Sequence, residues 1–395
     1  MRQLARRLRD GSLELVDVPD PEPGPGAVSV RLERSLISSG TERATIEVAR
    51  KNLLQKARQR PDQVKQVLDM AKAEGVRSTV EAVRGRLDEL GPLGYSAAGV
   101  VLEAGGEVRG IEPGDRVAVG GGGHASHAEL AIVPQLLCAK VPDGVSAEAA
   151  AFTTVGAIAM QGFRRSEVAV GSTVAVVGLG LVGQLTARIV LAAGCRVIGI
   201  DLRDDLLALA AAAGAEPLAR AEADNPRYAG VADAVLLCAA APQSDDPVRL
   251  AGALARDRAP VVVVGDVAMQ LPRNPYYEKE LDLRLSRSYG PGRYDDAYEL
   301  AGHDYPIGYV RWTERRNMES FLSLVASGRL DPAPLVTHRF PFAEAESAFA
   351  VLTGEAESDT PPLGLVLEYE TAGAPTEPPE RPGVPRKRVS LGRWR

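Results

Sequence analysis

The sequence predicts an α/β protein with a doubly wound parallel sheet and a second domain rich in β-strands. The first observation is the stretch VAVVGLGLVG at 174–183, where an apolar strand runs into three glycines and an apolar helix follows. The second is that apolar strands and helices alternate from there to residue 288. Such alternation is typical of a parallel sheet with helices on both faces.

Composition sets the broad class of protein. A chain of 395 residues, of which 45% are apolar, can fill two hydrophobic cores. The net charge of −6 gives no reason to expect nucleic acid, and no apolar run reaches the roughly 18 residues of a membrane span. The chain starts without an apolar signal core, so a cytoplasmic protein without a membrane partner is expected.

The cysteines carry no metal or disulfide pattern. Cys138, Cys195 and Cys238 lie far apart in the sequence. Neither a disulfide framework nor a structural zinc cluster follows from such spacing.

The N-terminal part of the chain combines a β pattern with a helical pattern. Residues 11–38 alternate and turn as antiparallel β structure does, and a β pattern returns from 91 to 142. Between them, residues 43–90 are charged and carry apolar residues at helical spacing, with breaks at Pro61 and Gly75. A solvated helical insertion of about three helices is predicted there.

The layout therefore has four parts. Residues 1–146 form a β domain that contains the insertion 43–90, and residues 147–288 form the parallel-sheet domain. Residues 289–370 are expected to pack back against the β domain. The Pro-rich residues 371–395, which end in the basic stretch PRKRVSLGRWR, are expected to be a disordered tail.

The glycine-rich stretch is the predicted dinucleotide site. Gly178, Gly180 and Gly183 would let the backbone approach a pyrophosphate at a helix N-terminus, and Asp201, which ends the next apolar strand, would accept hydrogen bonds from the adenosine ribose. An aspartate there repels a 2′-phosphate and favours NAD(H). Arg203 can pair with such a phosphate, so NADP(H) is not excluded. The intervening residues predicted to contact the cofactor are Leu179, Leu181 and Val182.

Five segments resemble the medium-chain dehydrogenase/reductase superfamily, whose members include the zinc alcohol dehydrogenase-like enzymes. They are SSGTE at 38–42, LGYSAAGVV at 93–101, GIEPGDRVAV at 110–119, HAELAIVP at 127–134 and AVVGLGLVG at 175–183. The resemblance implies a GroES-like catalytic domain, a Rossmann domain inserted before the last catalytic segment, and a homodimer formed through edge strands around 261–287.

Two further segments resemble a narrower group. ARKNLLQKARQRPDQVKQVLD at 49–69 and the Tyr-rich stretch at 286–317 are similar to a zinc-lacking subgroup related to bi-domain oxidoreductases associated with Gfo/Idh/MocA-type dehydrogenases. This resemblance implies a sugar-like or natural-product substrate, by analogy and not from chemistry read in the residues.

The zinc-binding pattern of the superfamily is interrupted. Ser39, Tyr95 with Ser96, and Thr153 or Thr154 stand where zinc-dependent members have their ligands. Zinc prefers thiolate, imidazole or carboxylate over a hydroxyl. We therefore expect no zinc, with hydride transfer supported by side chains.

The resemblance places the catalytic candidates in the former metal pocket. Thr41 aligns with the proton-relay hydroxyl of the zinc enzymes, Tyr95 replaces a zinc ligand, and Glu42 aligns with an orienting carboxylate. His127 is a candidate acid/base group. A packing role for Tyr95, a turn or cap hydrogen bond for Thr41, and a strand-satisfying role for His127 stay open.

The remaining candidates bind ligands. Thr154 is assigned to the cofactor. The substrate-side candidates are Ser39, His124, His303, Tyr305 and Arg311.

Three functions follow from these patterns. The first is a zinc-independent NAD(P)-dependent oxidoreductase acting on an alcohol or ketone of a small-molecule substrate. The others are a quinone or enoyl reductase of the same superfamily, and a catalytically inactive nucleotide-binding subunit that engages a partner dehydrogenase.

Overall fold

The computed structural model describes residues 1–7, 9–50, 75 and 90–370. The predicted insertion 43–90 lies mostly outside these residues, as does the predicted tail 371–395. Of the insertion, the structure shows the helix Thr41–Arg50, which begins directly behind a strand. Among the described residues, no helix has the length and apolar character needed to cross a bilayer.

The strands are numbered in chain order. They are β1 Arg2–Arg7, β2 Leu13–Asp17, β3 Ala27–Ser38, β4 Leu90–Pro92, β5 Ser96–Ala104, β6 Arg116–Gly120, β7 Leu130–Pro134, β8 Cys138–Lys140, β9 Thr173–Val177, β10 Arg196–Asp201, β11 Glu216–Ala219, β12 Ala234–Leu237, β13 Pro260–Val263, β14 Asp282–Leu285, β15 Val336–Pro341 and β16 Gly364–Glu368.

The helices are numbered in the same way. The α-helices are α1 Thr41–Arg50, α2 Ala147–Ala151, α3 Thr153–Ser166, α4 Leu181–Ala192, α5 Asp204–Ala212, α6 Asp246–Leu254, α7 Arg273–Tyr276, α8 Asp296–Glu299, α9 Glu314–Ala326 and α10 Ala345–Thr353. Single 3₁₀ turns span Gln135–Leu137, Arg220–Glu222, Pro226–Tyr228, Ala333–Leu335 and Phe342–Glu344.

A six-stranded parallel sheet forms the centre of the molecule. Its strand order is β11-β10-β9-β12-β13-β14, and every neighbouring pair is parallel. The order reverses beside β9, which is the topological switch point where doubly wound sheets bind ligands. This arrangement confirms the predicted doubly wound sheet.

A second, seven-stranded sheet carries the β domain. Its order is β15-β16-β3-β5-β6-β8, and β7 also pairs with β3. Because β15 and β16 come from the end of the chain, residues after the parallel sheet return to the β domain. The central strand, β3, has partners along its whole length and ends at Ser38, where α1 follows.

The sequence patterns did not anticipate a third sheet. Strand β1 pairs with β2 and β4 in an antiparallel sheet of order β2-β1-β4. The stretch RQLARR at 2–7 shows no strict alternation of apolar and polar residues, so the sequence pattern predicts no strand there. Leu90 also belongs to β4 and not to the helical insertion.

The sheet edge differs from the predicted dimer range 261–287. Strand β13 lies inside the parallel sheet, so in the part of the chain that the structure describes only β14 is an edge strand within that range. Leu285, at the end of β14, is 62% exposed. A homodimer through β14 stays a prediction.

The segment 286–314 contains several buried polar side chains. Glu314, at the start of α9, is 0% exposed, and neither of its carboxyl oxygens has a hydrogen-bond partner of ordinary geometry. Burial, and then the nearby Glu299, raise the pKa of Glu314 to about 9, while Arg293 and Arg287 oppose that rise. Tyr289 is also buried and its hydroxyl is without a partner. The Glu314 carboxyl is therefore protonated at neutral pH.

The Glu314→Gln variant tests this assignment. Because the native state holds a proton that the unfolded state releases above a pKa of 4.5, the stability of the wild-type protein falls as pH rises from there to about 9. The variant lacks this penalty, so its free energy of unfolding should exceed that of the wild type at pH 8. The gap should close towards pH 4.5, by at most about 1.4 kcal/mol per pH unit.

Urea unfolding at several pH values measures the gap. The control is Glu319→Gln on the same helix, where an exposed ion pair with Arg315 is lost. That change should be worth less than about 1 kcal/mol. A Glu314→Gln gap of equal size at pH 5 and pH 8 would contradict the assignment.

Candidate active site

The turn after β9 needs glycine at two positions for steric reasons. Gly178 has φ 89°, and a Cβ there would lie 2.5 Å from the backbone of Ala239. A Cβ at Gly183 would lie 1.9 Å from the carbonyl oxygen of Gly178. These two glycines close the turn tightly against its own backbone and the neighbouring strand end.

The third glycine of the turn faces open space. A Cβ at Gly180 would have no atom within 4 Å, and its φ of −61° suits any residue. Gly180 is the N-cap of α4 and no side chain caps this helix. The first N–H groups of a helix have no intrahelical partner and attract anions. Leu179 and Leu181 are buried, so they would meet a ligand here only through the backbone.

Asp201 lies at the carboxyl end of β10, beside this turn. Its Oδ2 accepts from the Leu179 N–H at 2.6 Å, and its Oδ1 accepts from the N–H groups of Leu202 and Arg203 at 2.8 and 3.0 Å. The carboxylate thus holds the glycine turn to β10. Because a carboxylate has about four acceptor sites, one remains on Oδ2 for a ribose hydroxyl.

A cluster of hydroxyl groups lies where β3 passes into α1. The phenol of Tyr95 is within hydrogen-bonding reach of the side chains of Ser38 and Thr41, and the carboxylate of Glu42 is close by. Burial, followed by the charge of Glu42, raises the pKa of Tyr95 to about 12. Tyr95 is therefore a neutral hydrogen-bond donor at physiological pH.

A buried hydrogen-bonded chain lies behind this cluster. Glu42 Oε2 accepts from the Ser38 N–H at 2.7 Å, and Glu42 Oε1 lies 2.9 Å from Nε2 of His127. Nδ1 of His127 lies 2.8 Å from the Ser35 hydroxyl, which in turn lies 2.8 Å from the hydroxyl of Tyr369. Since a carboxylate only accepts, Nε2 of His127 carries a proton.

The structure thus brings Thr41, Glu42, Tyr95 and His127 together, and their catalytic role stays a prediction. His127 is 0% exposed and Glu42 is 3% exposed. His127 therefore contacts the site through Glu42 and not as a solvent-facing acid or base. Ser35, Ser38 and Tyr369 were missed, because no motif links residues so far apart in the chain.

The other predicted residues of the β domain lie around this centre. Ser39 is partly exposed in the turn before α1. The Thr154 hydroxyl is buried and donates to the carbonyl of Val119 at 3.2 Å. His124 lies in the glycine-rich turn, beside Gly121.

The substrate-side candidates of the later segment make contacts within that segment. The hydroxyl of Tyr305 bonds to Asp295, and its ring stacks on Tyr298. Arg311 lies over the ring of Trp312 at 3.8 Å, and the N–H of His303 donates to the carbonyl of Ala297. None of these contacts places the three residues in the Tyr95 cluster, so their assignment to a substrate stays a prediction.

The donor groups at the position where the resemblance expects a metal do not fit a zinc ion. Tyr95 offers a phenol and Thr154 donates its hydroxyl to the carbonyl of Val119, whereas zinc prefers thiolate, imidazole or carboxylate. Within residues 1–7, 9–50, 75 and 90–370, no three His, Cys, Asp or Glu side chains group together.

Comparison with known structures places this geometry in a fold family. An alcohol dehydrogenase from Thermus sp. ATN1 superposes with a TM-score of 0.69 at 20% identity and covers 94% of this chain and 100% of its own. The fold is that of the medium-chain dehydrogenases. A candidate zinc-binding dehydrogenase from Sinorhizobium meliloti, bound to NADP, has a TM-score of 0.65 at 20% identity and covers 93% of this chain and 99% of its own.

Sequence comparison gives a similar result. A candidate D-xylulose reductase of Rhizobium meliloti is 29% identical over 293 residues, which is 65% of this chain and 77% of the relative. No family model matches the chain. The predicted α/β architecture, a GroES-like domain with a Rossmann domain, is confirmed by the solved structures.

The members of the buried hydrogen-bonded chain should contribute unequally to the stability of the fold. In His127→Ala, the Glu42 carboxylate loses its side-chain donor while it stays buried, which should cost about 3 kcal/mol of unfolding free energy. In Ser35→Ala, only neutral hydrogen bonds are lost, so the cost should be about 1 kcal/mol. Urea unfolding at pH 7 measures both. Equal costs would show that the Glu42 charge does not depend on His127.

Proposed function

We propose that this protein is a zinc-independent NAD(P)-dependent oxidoreductase. It transfers hydride between a nicotinamide cofactor, with NAD(H) favoured, and an alcohol or ketone of a polyol, sugar-like or natural-product substrate. The observation that carries the proposal is the neutral Tyr95 phenol, placed with the Ser38 and Thr41 hydroxyls in front of the Glu42–His127 pair. The names of relatives and fold neighbours, among them a D-xylulose reductase candidate and an alcohol dehydrogenase, support the substrate class.

The residues around the glycine turn fit a dinucleotide. The open space over Gly180 and the uncapped start of α4 suit a pyrophosphate, and Asp201 keeps one acceptor site for the adenosine ribose. When bound, the nicotinamide supplies or accepts the hydride. The protein positions this group and excludes water around it.

Tyr95 is the proposed donor of the proton that the substrate oxygen takes up. In carbonyl reduction, an oxyanion forms as hydride arrives, and the Tyr95 O–H donates its proton to that oxygen. The phenolate left behind accepts hydrogen bonds from the hydroxyls of Ser38 and Thr41. Glu42 acts on this step through its charge, because a nearby carboxylate disfavours the phenolate and keeps Tyr95 protonated.

The poor fit of the site to zinc supports independence from metal. Ser39, Tyr95 and Thr154 offer hydroxyls, and both ring nitrogens of His127 are engaged by Glu42 and Ser35. Metal analysis of the purified protein tests this part. Zinc at one equivalent per chain, lost together with activity on chelation, would overturn it.

Two alanine substitutions in the glycine turn test the cofactor site. Gly180→Ala places a methyl group in the open space without strain, so the fold should persist while NADH binding weakens more than ten-fold. Gly183→Ala clashes with Gly178 and should lower stability instead. Fluorescence of bound NADH and thermal unfolding measure the two effects. Undiminished NADH binding by a folded Gly180→Ala protein would remove the turn from the cofactor site.

Two further variants test the proton donor. A panel of polyols, sugars, quinones and enoyl compounds, followed by cofactor absorbance, identifies a substrate. With the ketone of a polyol as substrate, Tyr95→Phe should lower kcat by about 100-fold or more, because general acid catalysis contributes about that much. Thr41→Ala should have a smaller effect in the same direction. The control variant Tyr277→Phe, at an exposed tyrosine of the parallel-sheet domain, should be unaffected.

The other outcomes identify the other functions. Turnover of quinones or enoyl compounds alone would indicate a reductase of activated double bonds. Saturable NADH binding without turnover of any compound would favour a nucleotide-binding partner subunit. Full activity of Tyr95→Phe in the reduction of a ketone would overturn the role of Tyr95.

A further inference from the structure

We propose that Asp205 increases the preference for NAD(H) over NADP(H), by holding the guanidinium of Arg203 away from the adenosine ribose. This inference rests on the proposed function, in that it requires a dinucleotide at the glycine turn. Arg203 is the cation nearest in sequence to Asp201, and the choice of its partner decides whether a 2′-phosphate is accepted.

The geometry of the pair is bidentate. Arg203 Nε lies 3.0 Å from Asp205 Oδ1, and Arg203 Nη2 lies 2.5 Å from Asp205 Oδ2. Two parallel hydrogen bonds of this kind orient a guanidinium as well as binding it. The hydrogen bond to Asp205 raises the pKa of Arg203, and Arg203 lowers the pKa of Asp205. Both groups are therefore charged, and the guanidinium fork is directed to Asp205.

The backbone of Arg203 is fixed by its own contacts, whereas its side chain can reach more than one partner. The Arg203 N–H donates to Asp201 Oδ1, and Arg203 is the N-cap of α5. The side chain can turn either towards Asp205, in the first turn of that helix, or towards a ligand at the end of β10. A phosphate is an equally good bidentate partner for arginine.

The local charge disfavours a phosphate while Asp205 is ionised. Asp201, Asp204 and Asp205 lie in this short stretch with a single cation, Arg203. A 2′-phosphate would meet an excess of negative charge and an arginine that is already paired. A free ribose hydroxyl meets neither obstacle and can use the acceptor site left on Asp201.

The pair is weak enough for one substitution to release it. The side chains of Arg203 and Asp205 are 43% and 52% exposed. Ion pairs of this exposure contribute little, and their removal changes affinities by no more than about five-fold. Loss of the Asp205 charge should therefore tighten NADPH binding by about this factor and leave NADH binding nearly unchanged.

The experiment measures dissociation constants of NADH and NADPH by the fluorescence of the bound nicotinamide, so that no substrate is needed. The wild type should prefer NADH, and Asp205→Asn should tighten NADPH about five-fold. Adding Arg203→Gln to Asp205→Asn should abolish the gain. The control is Glu280→Gln, which removes a more exposed ion pair with Arg258 next to the amino ends of β13 and β14, at the opposite edge of the sheet from the glycine turn.

The outcomes separate this inference from the proposed function. A wild-type protein that binds neither dinucleotide would overturn the proposed function. NADH binding with a NADH-to-NADPH ratio that Asp205→Asn does not move would overturn the inference alone. So would a wild-type preference for NADPH, or a gain that persists in the double variant, because the gain would then not come from Arg203.

Discussion

The burial of the Glu42 carboxylate is the constraint on which the rest of the β domain depends. A carboxylate with 3% exposure needs donors, and it finds them in the Ser38 N–H and in His127. His127 is itself held by backbone hydrogen bonds to Leu4 and Leu93, and Gly94 lies so close to it that a Cβ there would reach its backbone nitrogen at 2.6 Å. The hydrogen bonds of Glu42 and His127 thus connect α1 with β1, β3 and the segment that carries Tyr95.

The same constraint explains the character of Tyr95. The phenol shares its surroundings with a negative charge, and the hydroxyls of Ser38 and Thr41 compensate that charge only in part. The result is a tyrosine suited to giving a proton and poorly suited to taking one at neutral pH. The metal-independent catalysis that we propose requires such a donor close to the developing oxyanion.

The two candidate sites, one on the parallel sheet and one in the β domain, are built from different kinds of group. The glycine turn, α4 and Asp201 form a site that depends on backbone groups, so many side chains are compatible with it. The Tyr95 cluster depends on particular side chains and their partners. Arg203 and Asp205 lie at the first of these sites but act by charge, and they are exposed where the Glu42–His127 pair is buried.

The sequence by itself determined the doubly wound sheet, the glycine turn after β9 and the return of the chain to the β domain. Period-two and helical patterns and the glycine spacing are local signals, and local signals survive in a linear sequence. The grouping of Thr41, Glu42, Tyr95 and His127 was predictable only through family resemblance, because these residues span more than 80 positions.

Only the tertiary structure decided the partners of these groups. Ser35 and Tyr369 complete the hydrogen-bonded chain from segments far apart in sequence. Glu314 is buried without a hydrogen-bond partner of ordinary geometry, although its surroundings in the sequence are charged. The sequence patterns also did not predict that β13 lies inside the sheet or that β1 pairs with β2 and β4. Burial and hydrogen bonding depend on which segments meet in space, and no local pattern contains that information.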